Sequence, residues 1–262
     1  GWAWVPDFQP HDDGGIRLLE LAATLGKVCV VGHNGSSFVK TKCDYNAPVW
    51  EPFNRPEAIG WHNDFSTWAE RPVLSIAWVC SHPPDSESRG DWRVVACSDV
   101  IASLEATSAG RRSLALLRQD LLPFVFAPNE PVLHFHVLDA TANTRARFYG
   151  RALRLGLAKE PNRQASEAID EWERTADMLG RRLTSVQGAL LVCDNWRSMH
   201  DRLEQAPGRS SGLVFIADED AVSNLAVGRK DRNCESTKEI ESCNSGEVST
   251  PIMERPNSTG AK

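Results

Sequence analysis

Apolar positions recur at helical spacing in two stretches of the chain. Leu18, Leu21, Ala22 and Leu25 share one side of a helix expected over 15–25, and Gly26 suits its C-terminal end. Ile169, Trp172, Ala176 and Leu179 form a second stripe over 167–179, with Ser166 as N-cap and Gly180 behind it. Shorter helical pieces are expected over 100–105, capped by Ser98 or Asp99, and over 114–122. The remaining apolar runs are short and bounded by turn residues, which is the pattern of strands. They cover 27–31, 73–80, 92–97, 132–138, 146–155, 190–193 and 213–216. Between them lie Gly-, Pro-, Ser- and Asn-containing segments at 32–37, 45–56, 83–86 and 139–143.

Many short strands with a few helices predict a mainly β fold with α decoration, a double-stranded β-helix or jelly roll. From about Gly228 the apolar pattern stops. Residues 229–262 are rich in Lys, Glu, Ser, Asn and Thr and predict a disordered tail behind a jelly-roll domain over 1–228.

Composition narrows the function classes. The chain has 262 residues, of which 41% are apolar and 24% charged, ordinary values for a globular protein that buries a core. A formal net charge of -6 argues against nucleic acid as a partner. No apolar run reaches the roughly 18 residues of a membrane span, and the first residues lack the pattern of a secretory leader. Seven cysteines, an odd number without a C-x-x-C pair, suggest neither a zinc cluster nor a disulfide framework. The expected compartment is the reducing cytoplasm.

Candidate chemistry sits in two places. Trp61-His62-Asn63-Asp64 carries an imidazole and a carboxylate two positions apart. On an extended segment, such residues point to the same side and can converge on one ion. His200 lies far downstream, in Asp194-Asn195-Trp196-Arg197-Ser198-Met199-His200-Asp201-Arg202. Two ligands close together and a third far away suit a 2-His-1-carboxylate site, which leaves one face of an octahedral iron open.

The downstream stretch, from Gln187-Gly188 through the apolar run to Arg202, resembles the C-terminal signature of the TauD/clavaminate synthase superfamily of Fe(II)/2-oxoglutarate-dependent oxygenases. Trp61-His62-Asn63-Asp64 resembles that superfamily's upstream Trp-His-x-Asp/Glu element. The resemblance spans roughly residues 18–216 and is specific at these two motifs. It implies a jelly-roll barrel with iron at its mouth, held by His62, Asp64 and His200. It also implies 2-oxoglutarate as co-substrate, molecular oxygen, and hydroxylation of an unactivated C–H bond. The small size of the chain, without an obvious protein- or nucleic-acid-binding module, points to a small polar substrate, an amino acid or related small acid. Related halogenases lack the carboxylate ligand, so Asp64 points away from halogenation. Desaturation or cyclisation would use the same residues. A non-catalytic jelly-roll protein that binds a metal or ligand is the alternative.

The resemblance also implies an arginine for the far carboxylate of 2-oxoglutarate. Arg209 lies closest to the expected place, and Arg202 is expected to brace a loop. Related chains often carry two arginines here, one before the strand and one on it. In that register Arg209 is the first and Leu213 stands at the second. A threonine often follows a Gly-Asp pair in the superfamily, whereas Gly90-Asp91 is followed here by Trp92. Three further features are expected to be structural or to shape the pocket. His134 and His136 form a strand pair without a third ligand. Arg147-Phe148 resembles an element of amino-acid hydroxylases but is read as a solvated strand face. Trp61 and Trp68 flank the first motif.

Overall fold

The computed structural model describes residues 1–8, 15–31, 36–48, 51–68, 71–82, 90–140 and 144–217. The expected tail over 229–262, the break at 83–86, and parts of the 32–37 and 139–143 segments lie outside the described residues.

Two antiparallel sheets share an apolar layer. In the larger, β1 (Trp2–Val5), β9 (Leu190–Asp194), β4 (Leu74–Ser81), β11 (Ser210–Ala217) and β2 (Lys27–Val28) lie side by side, and β3 (Val39–Lys42) pairs with the first half of β11. The smaller sheet has the order β10 (Ser198–Arg202), β5 (Trp92–Ala96), β8 (Arg181–Leu183). β6 (Leu122–Phe124) and β7 (Leu133–Phe135) make a separate two-stranded pair.

Strand alternation sorts the side chains into layers. On β4, Ile76 and Trp78 face outward onto Leu18 and Ala22 of α1 (Ile16–Leu25). Ala77 and Val79 face inward and pack with Trp92 and Val94 of β5 and Leu191 and Cys193 of β9. On β10, Met199 faces out and joins Val95 in a large cluster under four helices. These are α2 (Cys97–Glu105), α3 (Ser108–Gln119), α4 (Gly150–Lys159) and α5 (Arg163–Leu179). Because Met199 points to the helices, its neighbour His200 points the other way.

The stripe on α5 is buried at Ile169, Trp172 and Ala176, whereas its fourth expected member, Leu179, is exposed at the last turn. The helix starts earlier than the pattern implies. Asn162, not Ser166, is the N-cap, its side chain accepting from Ala165 N at 3.0 Å. Likewise α3 begins behind the Thr107 cap and ends at Gln119, so Leu122 falls in β6.

The strand expected over 146–155 is overturned. Residues Gly150–Lys159 are α4, because Ala152, Leu153 and Gly156 recur at helical spacing and are buried. Gly156 is where α4 meets β6: a Cβ there would lie 2.1 Å from the Pro123 carbonyl oxygen. The expected strands over 27–31 and 132–138 shrink to Lys27–Val28 and Leu133–Phe135, and Cys97 opens α2 instead of closing β5. Cys29, Cys43, Cys80, Cys97 and Cys193 are all free thiols. Burial raises Cys29 to about 11 and Cys97 to about 12, as befits cysteines serving as small apolar side chains. No helix among the described residues is long and apolar enough to cross a membrane.

Candidate metal centre

The first motif does not lie on a strand. Residues 59–62 run beside β10, with Ile59 N donating to Arg202 O at 3.0 Å. His62 and His200 then form an antiparallel bridge, and the chain turns at Asp64. The expected alternation of His62 and Asp64 along a strand is therefore replaced by a bridge followed by a turn.

Two buried asparagines hold that turn. Asn63 donates from Nδ2 to Ser198 O at 2.8 Å and accepts from Phe148 N at 2.9 Å. Asn195 accepts from Asp64 N at 2.7 Å and donates back to Asp64 O at 3.0 Å and to Pro72 O at 3.0 Å. Asn195, from the downstream motif, thus fixes the backbone of the carboxylate in the upstream one. The residue after Asp64, Phe65, has φ 56°, a left-handed conformation that a bulky side chain adopts only when its surroundings impose it. Its ring is packed edge-on against Trp68 and Phe215, each at 4.8 Å.

The three side chains meet. His62 Nε2 lies 3.8 Å from Asp64 Oδ1, and His200 Nε2 lies 3.3 Å from Asp64 Oδ2. One ligand atom from each residue falls within 4.8 Å of the others, and this is the group among the described residues fit to hold a metal ion. His62 Nδ1 donates to Gly60 O at 2.8 Å, which turns Nε2 toward the other two ligands. The buried His200 Nδ1 makes no regular hydrogen bond among the described residues, and the Cys193 thiol is the polar group beside the ring.

Burial, with the charge of His200, pushes His62 down to about 4. Burial opposes the charge on Asp64 too, but the two histidines and the Ser75 hydroxyl hold it at about 2. For His200, burial is outweighed by the Asp64 carboxylate and the Cys193 thiol, and its pKa rises well above the usual imidazole range. Without a metal, the site is a charged His200–Asp64 pair beside a neutral His62. Two imidazoles and one carboxylate, with the proton displaceable, form a donor set that fits Fe(II).

No protein-family model matches the chain, and no curated protein matches it by sequence. Its fold does have relatives among solved structures. An asparagine oxygenase in complex with Fe(II), 2S,3S-3-hydroxyasparagine and succinate superposes with a TM-score of 0.64 at 17% identity, covering 81% of this chain and 70% of that one. The non-heme iron oxygenase OrfP, in complex with Fe, succinate and (3S)-hydroxy-L-Arg, gives 0.58 at 15% identity over 81% and 69%. A taurine dioxygenase from Burkholderia xenovorans gives 0.57 at 16% identity over 83% and 77%. The chain has the fold of the non-heme iron oxygenases.

Within that fold, Arg209 is not a surface residue. It is 1% exposed, just before β11. Its Nη1 donates to Ser211 Oγ at 2.9 Å and lies 3.4 Å from Gln205 Oε1, and its Nη2 donates to Ser185 Oγ at 2.9 Å. The guanidinium carbon lies 5.5 Å from the centre of the Trp92 ring. A Cβ on Gly90 would fall 2.5 Å from Arg209 Nε, so Gly90-Asp91-Trp92 forms one wall of this chamber. Among the described residues no carboxylate is within ion-pairing distance, and Nε has no partner. Burial, with Arg202 nearby, lowers Arg209 to about 9. Sequence reasoning missed Ser185, Gln205 and Ser211, because isolated polar residues become legible only when the fold brings them together.

The other candidates fall elsewhere. Arg202 spends its Nη2 on the carbonyls of Pro52, Arg55 and Glu57, bracing that excursion as expected. Arg147 is not on a solvated strand face. It donates to the carbonyls of Ser66 and Trp68 behind the ligand turn and lies over Phe135 at 4.0 Å. His134 pairs with Glu160 at 2.7 Å, away from the triad. Trp61 is buried, its indole donating to Asp177 at 2.9 Å.

Proposed function

We propose that the chain is an Fe(II)/2-oxoglutarate-dependent oxygenase of the TauD/clavaminate synthase superfamily, built on a jelly-roll barrel. The observation that carries this reading is the convergence of His62, Asp64 and His200 in a chain with the non-heme iron oxygenase fold. His62, Asp64 and His200 hold the iron. Arg209 receives the far carboxylate of 2-oxoglutarate, a role supported by its burial without an acidic partner. Iron(II) with 2-oxoglutarate and oxygen supplies an oxidative decarboxylation that yields succinate and carbon dioxide and places one oxygen atom in a substrate C–H bond.

The protein's own contribution is orientation and exclusion of water. Asp64 stays ionised and occupies a coordination position, which favours hydroxylation over halogenation. Phe53 and Tyr149 flank the His62 ring, at 5.9 and 5.6 Å, and Phe65, Trp68 and Phe215 cluster beside Asp64. These rings screen the ligands from solvent.

The substrate is a small polar molecule, a free amino acid or related small acid. The superposed structures support this class, because they hold hydroxylated asparagine and arginine and include a taurine dioxygenase. The test is oxygen-dependent release of succinate by iron-loaded protein across a panel of amino acids and small sulfonates, with mass spectrometry of the product. A gain of one oxygen atom in one panel member, coupled to succinate, is the expected result. Absence of iron binding, or succinate release that no panel member raises, sinks the proposal.

A further inference from the structure

Strand alternation places His200 on the inner face of β10 and its neighbour Asp201 on the outer one. Asp201 is fully buried there. It stands directly across from Arg93 on β5, which binds it through Nε at 3.1 Å and Nη2 at 2.6 Å. Those bonds use only Oδ2. The other oxygen, Oδ1, accepts from Gly60 N at 2.8 Å.

Gly60 is the residue whose carbonyl receives His62 Nδ1, at 2.8 Å. Its φ is 86°, a left-handed conformation. A Cβ at this position would meet no atom within 4 Å, so glycine is required by the backbone angle and not by space. Trp61, between Gly60 and His62, is clamped as well. Its indole donates to Asp177, and the Arg93 guanidinium lies 4.7 Å from its ring centre. A single chain of contacts thus runs from Arg93 through Asp201 and Gly60 to the far nitrogen of one metal ligand.

We infer that Asp201 is a positioning residue for the metal centre: it holds Gly60 so that the Gly60 carbonyl fixes the His62 ring with Nε2 toward the ion. This rests on the reading that the triad holds a metal. Asp201 follows His200 in sequence and orients His62 through space. Partners of this kind fix ring orientation and commonly change metal affinity by about 10–100-fold.

The experiment is anaerobic titration of the full chain with Co(II) alone, reading affinity and the visible ligand-field bands. Asp201→Ala and Gly60→Ala should each bind Co(II) about 10–100-fold more weakly, with shifted bands. Asp201→Asn, whose amide oxygen can still accept from Gly60 N, should recover much of that loss. Ile169→Ala, a cavity in α5 far from the motif in sequence, should lower the melting temperature and leave affinity and bands as in the parent. Parental affinity and bands in both Asp201→Ala and Gly60→Ala would overturn the inference. If Asp201→Ala fails to fold, Gly60→Ala decides alone, because open space surrounds that position. A parent chain that binds no Co(II), or binds it equally well as His62→Ala, overturns the metal reading itself and the inference with it.

Discussion

His62 and His200 exchange both of their backbone hydrogen bonds, His62 N to His200 O at 3.0 Å and His200 N to His62 O at 2.9 Å. The two imidazoles are neighbours because their peptide groups are locked together, with ring centres 4.3 Å apart. Main-chain pairing does not depend on the side chains. His62→Ala should therefore fold as the parent does, and His200→Ala should keep the fold at lower stability because it leaves the buried Asp64 carboxylate without its cation, while each weakens Fe(II) or Mn(II) binding by more than the roughly 100-fold typical of lost outer partners. Calorimetric titration and circular dichroism would check both halves. A variant that keeps parental metal affinity removes that residue from the ligand set.

Metal affinity should depend on pH through one proton. In the metal-free chain His62 is lowered to about 4 and Asp64 to about 2, so neither carries a proton at neutral pH. His200 is raised well above the usual range by Asp64 and does carry one, which the metal must displace. Affinity should rise about tenfold per pH unit below the folded His200 pKa and level off above it. The stability of the metal-free chain carries opposing contributions: His62, lowered to about 4, costs stability below the unfolded imidazole range and ceases to do so as pH rises through it. A raised histidine stabilises at low pH, and its contribution fades as pH rises through the folded value. The depressed Asp64 adds stability above the unfolded carboxylate range, lost as pH falls toward about 2. Calorimetry in buffers of different ionisation enthalpy counts the protons. None released at neutral pH would refute this assignment.

The candidate triad is legible in the sequence because such chemistry needs fixed residue types at fixed offsets, and the fold brings His62, Asp64 and His200 together. The strand that carries His200 is not. Ser198-Met199-His200-Asp201-Arg202 lacks apolar alternation, because its outer face holds Asp201 paired with Arg93 and its inner face holds the candidate ligand His200. Both replace the apolar side chains that mark a strand. α4 reads as a strand in the sequence for a related reason. Its buried face is short and includes Gly156, so the helical stripe of Ala152 and Leu153 lacks a third large side chain. Function and close approach override the periodic signal at these places.

Asn195 should matter more for folding than its size suggests. It satisfies Asp64 N, Asp64 O and Pro72 O and is fully buried. Asn195→Ala leaves these groups unpaired, at about 1–3 kcal/mol for each that water cannot reach. Asn195→Asp should be worse, because a carboxylate cannot donate to the carbonyls of Asp64 and Pro72. Chemical denaturation would rank the variants. A loss no greater for Asp than for Ala would show that solvent reaches the turn.

Arg209 offers the sharpest separation between a structural and a co-substrate role. A buried guanidinium bonded only to neutral groups loses hydration, and with Arg202 nearby this outweighs the attraction of Asp91 and lowers its pKa to about 9. Replacing so poorly compensated a buried charge by an apolar side chain of similar length removes its desolvation penalty. Arg209→Met should therefore melt at or above the parental temperature, and it should bind Fe(II) normally because it touches none of the ligands. Its affinity for 2-oxoglutarate should fall by the roughly 1.5–3 kcal/mol of charge-assisted hydrogen bonds. Arg209→Lys should recover only part of that, since an ammonium lacks the fork that meets a carboxylate with two parallel bonds. Anaerobic titration of the iron-loaded variants, followed by the charge-transfer band of a chelated keto acid, measures both. Parental affinity for 2-oxoglutarate in Arg209→Met, or a marked fall in its melting temperature, would return Arg209 to the scaffold.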